Sequence, residues 1–254
     1  MDYSASSIII LAVNQLENLT RPCIESILST SQGTPLELVL IDNGSTDGTA
    51  QYFGDVAQRL GPERVKVHSF PHNMGVTPGR IKGMELATRE FIVFLDNDTI
   101  ATRADWLAEL QKPLKDSHLG VTGQTGYYVF VLNDRLTMFF KCPASAGECD
   151  VVQGYCMMFR ATPFREGRVA LDPNYGKLWH EESDLCLQFK QLGYRIAYTD
   201  VGVQHKVNST INVTCGTRDE LIQSYVERTA YFSHKWLERG LCTVKRPAPT
   251  VAAR

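Results

Sequence analysis

No Cys-x-x-Cys pair occurs anywhere in this chain, and its seven cysteines are an odd number scattered from Cys23 to Cys242. That excludes a disulfide-stapled scaffold and a zinc knuckle, and leaves the thiols as small buried hydrophobes. No basic run is present either. Lysine and arginine number 26 against 28 acids, a net charge of −2, so there is no electrostatic track for nucleic acid. Long apolar runs are missing too: S-I-I-I-L-A-V near the start is too short to span a bilayer. The first residues lack the cationic region and small-residue cleavage site of a signal peptide. The expectation is a cytoplasmic protein without a transmembrane segment, with room for peripheral contact at the inner face of a membrane. No repeat, low-complexity block or glycine-rich phosphate loop interrupts the 254 residues, and 43% apolar content suffices for one sizeable core.

What is present is an alternation. Branched-apolar runs at 7–13, 36–41, 65–70 and 91–95 read as strands, with amphipathic stretches between them, the rhythm of a mostly parallel sheet flanked by helices. Helix starts are signalled by Asn18, by Ser45 or Thr46 with Asp47 in the first turn, and by Thr77 before Pro78. The second half is less regular: strand-like G-Y-Y-V-F-V-L, V-V-Q-G-Y-C-M-M-F-R and R-I-A-Y, with a helix opening near Glu182. In open sheets of this kind ligands sit outside the carboxyl ends of the strands. Asn14, Asp42, the segment from His72 to Gly75, and the segment from Asp96 to Thr99 occupy those ends.

The run F-I-V-F-L-D-N-D-T carries two carboxylates directly past an apolar strand. In an extended segment Asp96 and Asp98 face the same way, where one can hold a divalent cation and the other its waters or a ribose. The alternative is a polar turn that merely ends the strand.

Six pieces appear in order over residues 7–205: S-I-I-I-L-A-V-N, L-V-L-I-D-N-G-S-T-D-G-T, N-M-G-V-T-P-G-R-I-K-G, F-L-D-N-D-T, H-E-E-S-D-L-C-L-Q-F-K-Q-L-G-Y-R-I-A-Y and V-Q-H. In this the chain resembles the family 2 glycosyltransferases of the GT-A fold. The resemblance implies an α/β domain with a Rossmann-like, mostly parallel nucleotide-binding sheet flanked by helices and a smaller acceptor-side region. It implies a metal-dependent, inverting transfer of a sugar from a UDP-, dTDP- or GDP-linked donor to an acceptor hydroxyl. The acceptor would be a glycan, a lipid-linked sugar, a small molecule or a peptide. Carried over by position, Asp42 is the acceptor for the nucleotide base, Asn14 and Asn73 belong to the nucleotide site, and Arg80 reaches the base or diphosphate. Asp96 takes the ribose or a metal-bound water, while Asp98 and His205 ligate Mn2+ or Mg2+. Glu182 stands where the family has its catalytic base, although the family's residue is an aspartate, which leaves the neighbouring Glu181 in contention. Gly79 and Ile81 also depart from the family's usual alanine and asparagine.

Acceptor recognition is expected from Gly154, Tyr155 and Trp179. One domain is expected over 1–243: a nucleotide half to 115, an acceptor and catalytic half to 205 and a helical extension, then a flexible tail over 244–254. The extension places Ile222, Tyr225, Val226, Phe232 and Trp236 near one side, packed on the domain. Two rival readings stand beside this one. A haloacid-dehalogenase-like phosphatase also uses an apolar strand followed by D-x-D, but its fifth position is Thr or Val and here it is Ile100. A catalytically inactive relative would keep metal and nucleotide binding without transfer.

Overall fold

Branched apolar side chains suit a pleated surface covered on both faces, which accounts for the buried strands among the first four runs, while the third run forms the partly exposed edge strand. The computed structural model describes residues 5–31, 33–132, 135–142, 144–206, 217–237 and 239, so the expected tail over 244–254 lies outside the described residues. Strands β1 (Ser6–Ala12), β2 (Leu36–Asp42), β3 (Val65–Ser69) and β4 (Phe91–Leu95) alternate with helices α1 (Arg21–Thr30), α2 (Thr49–Leu60) and α3 (Val76–Leu86). The four strands lie parallel in the order β3-β2-β1-β4. The order reverses at β1, which opens a crevice at the carboxyl ends of β1 and β4.

Next come β5 (Thr99–Ala101), α4 (Trp106–Gln111), β6 (Leu119–Gly123), β7 (Gly126–Leu132), β8 (Arg135–Lys141), β9 (Ala146–Cys149), β10 (Val151–Val152) and β11 (Cys156–Arg160). The chain continues with α5 (Thr162–Arg165), α6 (Glu181–Gln191), β12 (Arg195–Thr199), β13 (Val203–His205) and α7 (Arg218–Leu237). Strand β11 inserts antiparallel beside β4, and β6, β12 and β9 follow, so both halves share one eight-stranded sheet. A three-stranded sheet β10-β7-β8 stands over the crevice end, and β13 pairs with β5. The architecture is the expected α/β one, a large, mostly parallel sheet flanked by helices.

Local capping differs from expectation in instructive ways. The expected run V-V-Q-G-Y-C-M-M-F-R is two strands, β10 and β11, broken at Gln153-Gly154-Tyr155. Asn18 caps nothing: the chain is already helical from Leu16, in wide turns that run into α1. Asp47 is the local organiser, its carboxylate accepting the Leu16 N–H at 2.8 Å and the Thr49 hydroxyl at 2.6 Å. Helix α2 therefore starts at Thr49, after Gly48 at φ 92°, and not at Ser45 or Thr46. Helix α3 lies very close to β1, because a Cβ on Gly79 would come within 2.4 Å of Leu11 and one on Gly83 within 2.4 Å of Ile9. The apolar row of α7 divides: Phe232 and Trp236 are fully buried, whereas Ile222, Tyr225 and Val226 are 52%, 40% and 56% exposed. A straight row drifts around a helix of this length, and only its last turns meet the core.

Candidate active site

The two aspartates converge through a turn, not through the pleat. Strand β4 ends at Leu95, and Thr99 donates to the Asp96 carbonyl through its N–H at 3.2 Å and its hydroxyl at 2.7 Å. Asn97 points the other way, buried, and donates to the Thr20 hydroxyl at 2.9 Å. Pinning the middle residue inward presents Asp96 and Asp98 to the crevice. Pairing of β13 with β5 sets His205 opposite Thr99, and Lys206 N–H donates to the Asp98 carbonyl at 2.9 Å.

His205 Nε2 lies 3.1 Å from the buried Asp98 Oδ1, and no well-aligned hydrogen bond satisfies that oxygen. Single ligand atoms from Asp96, Asp98 and His205 all fall within 4.8 Å of one another. An orphaned buried carboxylate oxygen beside a second carboxylate and an imidazole fits a divalent cation of the Mn2+ or Mg2+ kind. Burial alone would lower the His205 pKa, but the Asp98 carboxylate, with Asp96 behind it, raises it above its ordinary value. Tyr155 stacks on the His205 ring at 4.3 Å, and its hydroxyl shares a 2.7 Å hydrogen bond with Thr125. One face of Tyr155 therefore supports His205, which makes it a buttress of the acidic turn.

Arg80 does not extend toward open solvent at the crevice. It is 5% exposed, donating from Nη1 to Glu181 Oε1 at 2.9 Å and from Nη2 to Asp96 Oδ1 at 2.9 Å and the Gly154 carbonyl at 3.0 Å. Burial leaves a guanidinium stable only when its donors are matched, and these partners match it where it lines the cleft wall. Gly154, expected at the acceptor, spends its carbonyl on Arg80.

Beyond Asp96 and Asp98 a cleft of ≈ 720 Å³ opens, lined among others by Asn73, Gly154, Tyr155, Trp179, Glu181 and Glu182. Asn14 and Asp42 stand at the ends of β1 and β2 but do not line it. Asp42 Oδ1 accepts the Ser45 N–H at 3.0 Å, and Asn14 Oδ1 accepts the Thr46 N–H at 2.8 Å. Asn43 donates to Asn73 Oδ1 and to the Gly75 carbonyl and accepts from Met74 N–H, holding the 73–75 loop against β2.

Helix α6 begins at Glu181 behind two bulky residues in the left-handed region, Trp179 at φ 78° and His180 at φ 68°. Such backbone is unfavourable for large side chains and persists only where packing imposes it. Here Trp179 meets Tyr225 edge to face, His180 stacks on Phe232 at 5.0 Å, and its Nε2 is 2.8 Å from the Thr229 hydroxyl. Burial pushes the His180 pKa down to about 4, so the ring is neutral. Glu181 is 4% exposed, and burial raises its pKa against the opposing charge of Arg80. Glu182 is half-buried on the cleft wall. Burial first, then the Glu181 charge, raise its pKa to about 8, with Arg80 opposing.

Residues 7–166 match the family model of Glycosyl transferase family 2, which is more than half of the chain. The chain belongs to that family. The family 2 match also removes the phosphatase reading of D-N-D-T. An uncharacterized glycosyltransferase of Haemophilus influenzae is 33% identical over 122 residues, 48% of this chain and 46% of the relative. A PGL/p-HBAD biosynthesis glycosyltransferase of Mycobacterium bovis is 38% identical over 88 residues, 35% of this chain and 33% of the relative. The chain thus spans less than half the length of either. Among solved structures, GalNAc-T7 with UDP, GalNAc and Mn2+ superposes with a TM-score of 0.67 at 16% identity, covering 80% of this chain and 44% of its own. The mannosyltransferase PcManGT from Pyrobaculum calidifontis, with GDP-Man and Mn2+, gives 0.55 at 17% identity, covering 77% of this chain and 56% of its own. These likenesses establish the GT-A fold.

Within this family 2 chain, sequence reasoning missed the contribution of α7, which lies past the matched residues. Asp184, 0% exposed, accepts at Oδ1 from Tyr175 OH at 3.0 Å and Trp236 Nε1 at 2.8 Å, with Lys235 Nζ also at 2.8 Å. The available signal was an acid two residues past Glu182 together with the Lys235-Trp236 pair at the end of an amphipathic stretch.

Proposed function

We propose that this chain is a metal-dependent, inverting glycosyltransferase that moves a sugar from a nucleotide-diphosphate donor to an acceptor hydroxyl. The observation that carries the proposal is the convergence of the Asp96, Asp98 and His205 cluster with Glu182 on the walls of one cleft. Asp98 and His205, with Asp96 alongside, would hold Mn2+ or Mg2+. When bound, the cation counters the charge growing on the departing nucleoside diphosphate. In this reading the nucleoside, with a uracil, thymine or guanine base, lies toward the carboxyl ends of β1 and β2, at Asn73 in the cleft and at its edge by Asn14 and Asp42.

Glu182 is the base that takes the proton from the attacking acceptor hydroxyl. Glu181 is the less favoured base because it is 4% exposed and its charge is countered by Arg80, 2.9 Å from its Oε1. The raised pKa of Glu182, about 8, gives a stronger proton acceptor than an ordinary carboxylate once it is ionised. Trp179 is the acceptor contact of choice because it lines the cleft, where an aromatic face can stack on a sugar ring. The acceptor is a glycan, lipid-linked sugar, small molecule or peptide in glycoconjugate synthesis. Among the described residues no helix is long and apolar enough to cross a membrane. A cytoplasmic site of action, peripheral to a membrane, belongs to the proposal.

Product stereochemistry tests it. Inversion at the anomeric carbon, with transfer abolished in Glu182→Gln but nucleotide binding kept, is expected. A retained configuration would sink direct displacement. Full transfer by Glu182→Gln would remove Glu182 as the base, and an active protein of either kind would dispose of the inactive-relative reading.

A further inference from the structure

Arg80 draws together three segments far apart in the chain: the acidic turn after β4 through Asp96, the break between β10 and β11 through Gly154, and the first turn of α6 through Glu181. We infer that Arg80 is a positioning residue that holds the acidic turn and the start of α6 at a set separation and takes no part in gripping the nucleotide. The inference rests on Glu182 as base and on the acidic turn as the donor side.

Three observations support it. First, the residue is 5% exposed, with both Nη atoms engaged and the guanidinium 4.6 Å from the Phe94 ring centroid. Its charge is thus already countered by two carboxylates, which weakens its pull on a donor phosphate. Second, space around the guanidinium is filled from the chain itself: a Cβ on Gly154 would lie 2.6 Å from Nη1 and 2.9 Å from Nη2. Glycine at that position is what lets the break between β10 and β11 close over Arg80. Third, α3 is seated deep by the close contacts of Gly79 on Leu11 and Gly83 on Ile9, which carry Arg80 over the sheet and into the cleft wall, where its guanidinium is already engaged. Holding the Glu181 carboxylate fixes the first turn of α6, and the next residue, Glu182, then faces the cleft. Both carboxylate partners of Arg80 belong to the working parts of the site, one on the donor side and one beside the base.

The test uses Arg80→Met, Arg80→Lys, Arg80→Met/Glu181→Gln and Gly154→Ala in the full chain. The double variant removes both buried partners of one ion pair and keeps a folded comparison available if the single methionine variant is unstable. Gly154→Ala displaces the guanidinium without altering any charge. Amide exchange is measured without ligand. Arg80→Met and Gly154→Ala should speed exchange at 96–98 and at the start of α6 together, by about tenfold or more, with α2 unchanged. Calorimetry with Mn2+ and UDP, GDP or dTDP should then show nucleotide affinity within about threefold of wild type, a difference well below 1.4 kcal/mol. Release of nucleoside diphosphate should fall about 100-fold in kcat with little change in donor KM, as expected for a misplacement of ~1 Å, and Arg80→Lys should recover part of it.

Unchanged exchange in both segments, or an unchanged kcat, overturns the inference. So does a tenfold or greater loss of nucleotide affinity with Mn2+ binding intact, which would assign Arg80 to the nucleotide. If wild type bound none of the three nucleotides, the donor reading would fail while the exchange result would still decide the role of Arg80.

Discussion

Removing the Asp184 carboxylate should unfasten the C-terminal helix from the catalytic one. Asp184 on α6 is 0% exposed and receives Tyr175 OH, Trp236 Nε1 and Lys235 Nζ on one oxygen and Gln188 Nε2, at 2.6 Å, on the other. Asp184→Ala leaves a buried cation and two buried donors without that acceptor, a situation that costs roughly 3–5 kcal/mol. Lys235 keeps Asp172 at 2.7 Å, which places the expected loss near the lower end, about 3 kcal/mol. For a chain of this size that lowers the thermal midpoint by roughly 6–12 °C. Trp236→Phe withdraws a single donor from a charged acceptor and should cost about 1.5–3 kcal/mol, including a small packing term. The assay is urea denaturation of each single variant and of the pair. The double variant should lose less than the sum, because both changes remove the same hydrogen bond. A loss under about 1 kcal/mol for Asp184→Ala, or strict additivity in the pair, would refute the claim that this clasp carries the helix.

Four further outcomes follow from the geometry. Glu182 has a native pKa of about 8 against an ordinary 4.5, so the fold favours its protonated form. Stability should therefore decline as pH rises between those two values, and Glu182→Gln should remove that slope. The same group must be ionised to act as a base. With Glu181, Arg80 and Asp96 as the charged neighbours, kcat/KM should rise roughly tenfold from pH 7 to its plateau above about pH 9, and a profile flat from pH 6 to 9 would contradict this. Gly83→Ala, whose Cβ would sit 2.4 Å from Ile9 Cγ2, should cost about 1–3 kcal/mol by overpacking, read as a lower denaturation midpoint. Asn97→Ala frees the inward anchor of the acidic turn at Thr20 and should weaken Mn2+ binding by about tenfold, measured by competition with a metal indicator.

The parts of the fold that were legible were those written in local pattern. The run Phe91–Leu95 became β4 and G-Y-Y-V-F-V-L became β7, residue for residue, because each is a short block rich in apolar, aromatic and β-branched side chains. Starts of helices were less legible, since Asp47 organises two segments at once and Gly48 rather than Ser45 precedes α2. The acidic pair was legible as chemistry but not as geometry: a turn pinned by Asn97, not strand alternation, turns both carboxylates to the cleft. Arg80 shows the limit most clearly. Its partners lie 16, 74 and 101 residues away in the chain, a set no local pattern encodes. The split of α7 into an exposed front and a buried end likewise depends on where the sheet stops.

The central claim, a cation-dependent nucleotide site at Asp96, Asp98 and His205, is tested most directly by the thermal midpoint with UDP, dTDP and GDP, each with Mn2+ and with chelator. A nucleotide at ~100 times its dissociation constant stabilises the native state by about 2.7 kcal/mol, which is roughly 5–10 °C for a chain of this size. The account predicts such a rise with one nucleotide, only with the cation, and its loss in Asp98→Ala. The same rise in chelator, or one that survives in Asp98→Ala, would contradict it.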